Sequence, residues 1–138
     1  MPNEALVARI KQILALAKGG KVPEAYAEYS TLFTSPEFLG YTVEDRRAAI
    51  RLVVNTKVPL NNPAAHVVTA YRSAMRALEE AIGANADPAD FELLGICCVV
   101  TGDEKRAGEL FRTGLRLERE RDPQSNLCGS LMKWVAAV

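Results

Sequence analysis

Residues 91–119, FELLGICCVVTGDEKRAGELFRTGLRLER, constrain the fold more than any other stretch of the chain. Phe91, Leu94, Gly95 and Cys98 recur about one helical turn apart and read as one face of a helix. Gly102-Asp103 breaks that helix, and a second begins at about Asp103. It sets Ala107, Leu110, Phe111, Gly114 and Leu115 on one face, the spacing of an amphipathic helix. Small residues at Gly95, Ala107 and Gly114 let two antiparallel helices approach closely, and Phe111 fills the space between them.

The remainder of the chain reads as further helices. Residues 3 to 18 place Leu6, Ile10, Ile13 and Ala17 on one stripe, and Gly19-Gly20 stops them. Pro23 suits the first turn of a second helix, which carries Ala25, Tyr29 and Leu32. Gly20 to Ala25 spans five residues, as does Gly102 to Ala107; Ala25 to Tyr29 spans four, as does Ala107 to Phe111. The same turn and second helix therefore occur twice. Residues 36–41 form a short turn or helical fragment. Thr42 to Asp45 resembles a capping box opening a helix that runs to about Thr56. A linker follows at 57–60, and Asn62-Pro63 signals a new start, with Asn as N-cap and Pro at the first helical position. The long helix after it carries Val67, Tyr71, Ala74, Leu78 and Ile82, and a last helix over about 125–137 holds Leu127, Leu131, Trp134 and Val135. The expectation is an all-α fold of about seven helices: hairpins at about 3–35, 42–83 and 88–121, then a capping helix.

Among 138 residues, Lys plus Arg equals Asp plus Glu, 17 each, so net charge favours no class of polyanion. With no arm rich in Lys and Arg and no recognition motif, the sequence argues against nucleic acid. No apolar run is long enough to span a bilayer, and the opening residues lack the apolar core of a signal peptide. The three cysteines, two of them adjacent, do not make a secreted disulfide framework, which points to a reducing cytoplasm.

The turn and helix spacings resemble the tetratricopeptide helical repeat. The third hairpin carries it through Leu94, Gly95, Gly102, Ala107, Phe111 and Gly114, and the first through Gly20, Ala25, Tyr29 and Leu32. The resemblance implies antiparallel hairpins stacked as a short right-handed solenoid within one domain over residues 1–138. It implies an adaptor, scaffold or chaperone that binds a peptide or protein segment in a groove lined by the first helix of each pair. It places Val7, Ile10, Leu14 and Lys18 on that surface from the first unit, and Glu92, Ile96, Val99 and Val100 from the third.

Helix 89–101 is apolar nearly all round, so its second face is covered either by neighbouring helices or by a partner. Between Arg46 and Leu78 the chain has six basic residues and no acidic one. Arg46, Arg47, Arg51, Arg72 and Arg76 form either a patch for an acidic segment or a solvated face balanced by carboxylates of adjoining helices. The C-terminal helix, with Leu131, Trp134 and Val135, either folds against the preceding hairpin or meets a second copy of the chain. Cys97, Cys98 and Cys128 read as small core residues and His66 as a surface or capping residue. The residues suggest no cofactor, no metal and no enzyme; a thiol or metal site at Cys97, Cys98 and His66 is the remote alternative.

Overall fold

The computed structural model describes residues 3–54 and 62–138. Eight helices are found among them: α1 (Glu4–Lys18), α2 (Val22–Thr34), α3 (Pro36–Leu39), α4 (Val43–Arg51), α5 (Ala65–Ala84), α6 (Pro88–Val100), α7 (Glu104–Arg121) and α8 (Asn126–Ala137). The eighth is α3, a single turn that buries Phe38 completely against Phe33, their ring centroids 5.2 Å apart.

Local chemistry explains most of the boundaries. Asn3, Thr42, Asp87, Asp103 and Ser125 each accept a backbone N–H of the first turn that follows, at α1, α4, α6, α7 and α8. Each cap satisfies a donor that the helix cannot. Gly20 and Gly102 have positive φ (82° and 90°). At each, the glycine N–H donates to the carbonyl three residues back, and the next residue donates five back: Gly20 to Ala17 and Lys21 to Leu16, Gly102 to Val99 and Asp103 to Cys98. Both are Schellman turns, so the two hairpins that share a sequence spacing also share a turn geometry.

The middle of the chain departs from the sequence reading. Helix α4 ends at Arg51 rather than near Thr56, and the chain turns through Leu52 to Val54, Val54 N–H donating to Ile50. The expected helix end at Thr56 and the linker at 57–60 lie outside the described residues. The N-cap of α5 is Ala64, not Asn62, and Pro63 precedes the helix. Asn62 has φ 55°, a left-handed conformation that asparagine tolerates better than most residues, so it turns the chain instead of capping it.

Each hairpin packs its two helices together: α1 on α2, α4 on α5, α6 on α7. Between units, α2 packs on α5, α5 on α6 and α7 on α8. A single core cluster runs from Leu6 and Ile13 through Tyr71 and Leu78 to Phe111 and Leu131. Helix α6 lies at its centre. Phe91, Leu93, Leu94, Ile96, Cys97 and Cys98 are all buried, so neighbouring helices cover both of its faces. The α6–α7 contact is as close as the small residues allow. A Cβ at Gly95 would stand 2.4 Å from Phe111 Cε1, and one at Gly114 would stand 2.9 Å from Phe91 Cβ. Phe111 is fully buried, and its ring stacks on Trp134 at 4.9 Å.

Candidate functional site

Four helices, α1, α4, α6 and α8, are linked in series by side chains. Asp45 accepts the Asn3 N–H at 3.3 Å, which brings the N-terminal ends of α1 and α4 together. Arg47 of α4 grips Asp90 of α6 with two parallel bonds, Nε to Oδ1 at 2.6 Å and Nη2 to Oδ2 at 2.7 Å. Ser130 of α8 donates to Glu92 of α6 at 2.5 Å.

The Arg47–Asp90 pair is the most heavily invested of the three links. Asp90 is 0% exposed, and an ionised carboxylate there is tolerable only with its charge matched and its lone pairs filled. The bidentate guanidinium does both, and Asp87 lies 3.8 Å from the same guanidinium. Donating to the Asp90 carboxylate in turn holds the Arg47 guanidinium above its ordinary pKa. Arg47 is thereby committed to joining α4 to α6.

Two clefts lie beside α4. The first, about 310 Å³, separates α1 from α4; its walls are Leu6, Val7 and Ile10 on one side and Ala48, Ala49 and Leu52 on the other. Lys11 and Asp45 stand at its rim. The second, about 330 Å³, lies between α4, α6 and α8 and is mixed in character, with Arg51, Glu92 and Ser130 beside Leu93, Ile96 and Trp134. Arg51 and Leu52 are consecutive, so the end of α4 contributes to both.

Of the residues singled out from the sequence, Val7 and Ile10 line the first cleft, and Arg51, Glu92, Ile96 and Trp134 line the second. Leu14 is one turn beyond Ile10 on α1 and 37% exposed. Ile96 and Val100 are buried and Val99 is half-buried, so α6 spends these side chains largely on the core. Arg46 and Arg76 share Glu80, at 3.6 and 3.8 Å. Arg51 and Arg72 are exposed and, among the described residues, have no ion-pair partner. The arginines of the middle segment thus divide between structural ties and cations without an ion-pair partner among the described residues. Leu131 is fully buried and Trp134 is stacked on Phe111, so α8 folds against the preceding hairpin; Val135 is half-buried, and Met132 and Val138 remain exposed.

All three cysteines are buried. Burial pushes the Cys97 thiol far above its usual range, and the Cys98 thiol also rises, chiefly by burial, with Arg106 opposing. His66 is half-buried in the first turn of α5, its ring 5.2 Å from that of Tyr26; it neither caps the helix nor stands free on the surface. No helix among the described residues is long and apolar enough to cross a membrane.

Sequence reasoning missed the Arg47–Asp90 tie and the part played by Leu52. The signal for the first was present: Asp90 precedes a stretch that is apolar from Leu93 through Val100, and a carboxylate buried in such surroundings needs a cation beside it. Comparison of the chain with protein-family models, with curated proteins and with solved structures gave no match.

Proposed function

We propose that this protein is a protein-binding module, a short stack of helical hairpins of the tetratricopeptide type, working in the cytoplasm and taking a peptide or protein segment on the face formed by α1, α4, α6 and α8. The observation that carries this reading is the pair of clefts beside α4, both lined by the first helices of their hairpins. Each is close to the roughly 300 Å³ lower limit of ligand pockets, which suits individual side chains of a docked segment better than an enclosed cofactor. The matching turns at Gly20 and Gly102 support a repeated hairpin. Arg51 and Arg72, exposed and without an ion-pair partner among the described residues, favour a partner with acidic groups.

The test is affinity capture on the full chain, comparing Leu52→Asp with Thr113→Asp, a half-buried position on α7 that lines neither cleft. A partner captured by the wild type and by the α7 variant but lost with Leu52→Asp supports the reading. Capture insensitive to Leu52 and abolished by the α7 change overturns it.

One alternative has an observation behind it. Met132 is 49% exposed and Val138 41% exposed on α8, where a second copy of the chain would find apolar surface. Sedimentation of Met132→Glu beside the wild type tests it: a dimer that the substitution dissociates would favour self-association through α8.

A further inference from the structure

The cleft between α4, α6 and α8 is lined by two opposite charges that do not pair with each other. Arg51 of α4 and Glu92 of α6 both stand in its wall. Among the described residues Arg51 has no ion-pair partner. Its place is nevertheless set. Arg47, one turn earlier on the same side of α4, is held by two bonds to Asp90 of α6. Glu92 is fixed from the other side: its Oε2 accepts the Ser130 hydroxyl of α8 at 2.5 Å. Its Oε1 accepts no hydrogen bond among the described residues.

The rest of the lining is apolar and rigid. Val54, Leu93 and Ile96 are buried members of the core. Trp134 is held by its stack on Phe111, with 10° between the ring planes. These groups are in place before a ligand arrives, so little ordering cost falls on binding. The lining also discriminates by charge. An apolar occupant would leave Arg51 and Glu92 without partners as it displaced their water. A simple anion would meet Glu92, and a simple cation would meet Arg51. A molecule with a carboxylate, an ammonium group and an apolar body satisfies the whole lining at once. A volume of about 330 Å³, near the lower limit of ligand pockets, limits that molecule to about the size of one residue.

We propose that the α4–α6–α8 cleft binds a free α-amino acid with a large apolar side chain, of the leucine or phenylalanine type. Its carboxylate pairs with the Arg51 guanidinium, and its ammonium group donates to Glu92 Oε1. Its side chain lies on Leu93, Ile96 and Trp134, and burial of that side chain supplies most of the affinity. The two charged contacts supply selectivity for the unblocked molecule. This assignment goes beyond the docking reading and does not depend on it, because a residue within a peptide chain carries neither terminal charge.

Calorimetric titration of the full-length chain with L-leucine and L-phenylalanine tests this, beside three blocked analogues: leucinamide, N-acetyl-leucine and N-acetyl-leucinamide. Saturable binding of leucine or phenylalanine is expected, with a Kd below about 1 mM. Blocking either end of leucine should weaken binding about tenfold, the loss of one charge-assisted contact. Arg51→Gln should weaken leucine by a similar factor while leaving leucinamide, which has no carboxylate, unchanged. Glu92→Gln keeps an acceptor for Ser130 and should weaken leucine while leaving N-acetyl-leucine unchanged. Arg51 is exposed and Glu92 half-buried, and unchanged circular dichroism verifies the fold of both variants. Absence of saturation by both amino acids overturns the proposal, as does binding that neither variant alters. N-acetyl-leucinamide bound as tightly as leucine would show that the cleft takes a residue within a chain; that result overturns the amino-acid assignment and supports the docking reading.

Discussion

Replacing Gly95 with alanine should destabilise this protein although alanine is the better helix former. Two terms oppose each other. Removing a glycine from a helix interior gains about 0.5–1 kcal/mol. The new methyl, however, would lie 2.4 Å from Phe111 Cε1 and 2.8 Å from both Cδ1 and Cζ, about 1 Å closer than ordinary contact. The Phe111 ring cannot simply retreat, because it is fully buried and stacked on Trp134 at 4.9 Å with an interplanar angle of 10°. Relief requires α6 and α7 to separate, or Phe111 and Trp134 to shift together with α8. Overpacking of this kind costs about 1–3 kcal/mol, and with a second aromatic ring behind the first the upper end applies. The net loss is about 2 kcal/mol, or a fall in Tm of about 7 °C for a chain of this size. Urea denaturation of Gly95→Ala measures it. Gly129→Ala is the control: α8 leaves open space at that Cβ, and the substitution should gain up to about 1 kcal/mol. Phe111→Leu should relieve the clash, making the double variant more stable than the sum of the two single losses by at least about 1 kcal/mol. A Gly95→Ala protein as stable as the wild type would refute the close-approach reasoning.

Other consequences follow from the charged ties and the thiols. Arg47→Met leaves Asp90 buried without its cation and should cost about 3–5 kcal/mol, measured by urea denaturation; adding Asp90→Leu should recover much of that loss. Glu118, 1% exposed, accepts from Ser125 at 2.5 Å and pairs with Arg121, and the Ser125 bond first and Arg121 second hold its carboxyl below the ordinary value of 4.5. Because the folded value is depressed, its contribution is complete above that ordinary range and disappears as pH falls through the lower folded value. The stability difference between the wild type and Glu118→Gln should accordingly be constant near neutrality and shrink on acidification below pH 4.5, in denaturation curves taken across that range. Burial raises the Cys97 and Cys98 thiols, so alkylation by iodoacetamide at pH 8 should be slow in the folded chain and rapid in denaturant.

The sequence made the local and nearest-neighbour features legible. Gly95, Phe111 and Gly114 announced a close antiparallel pair because interhelical contact within one hairpin follows from helical period alone. Gly20 and Gly102 announced their turns because positive φ is costly for any residue with a Cβ. Thr42 marked a helix start for an equally local reason. Asn62-Pro63 misled, because an asparagine that turns the chain and one that caps a helix have the same local composition, and only the observed φ of 55° separates them. Charge pairing was not legible in its particulars. Arg47 and Asp90 are 43 residues apart, and no periodicity records which arginine of a basic segment will meet a carboxylate. The candidate site shares this division. Ile10, Arg51, Glu92 and Ile96 lie in the two clefts, whereas Val100, equally apolar in the sequence, is consumed by the core because α6 has neighbours on both faces. Leu52 went unnoticed because the sequence reading carried the helix on to about Thr56, whereas α4 ends at Arg51 and leaves Leu52 at its C-cap.

The claim that binding occurs on the first-helix face is tested most directly by amide hydrogen exchange of the full chain with and without a peptide selected on it. Protection should rise in α1 and α4, above all around Val7–Lys11 and Ala48–Leu52, while the exchange of α2 and α7 stays as in the free protein. Protection confined to α2, α5 and α7, with α1 and α4 unchanged, would contradict the account.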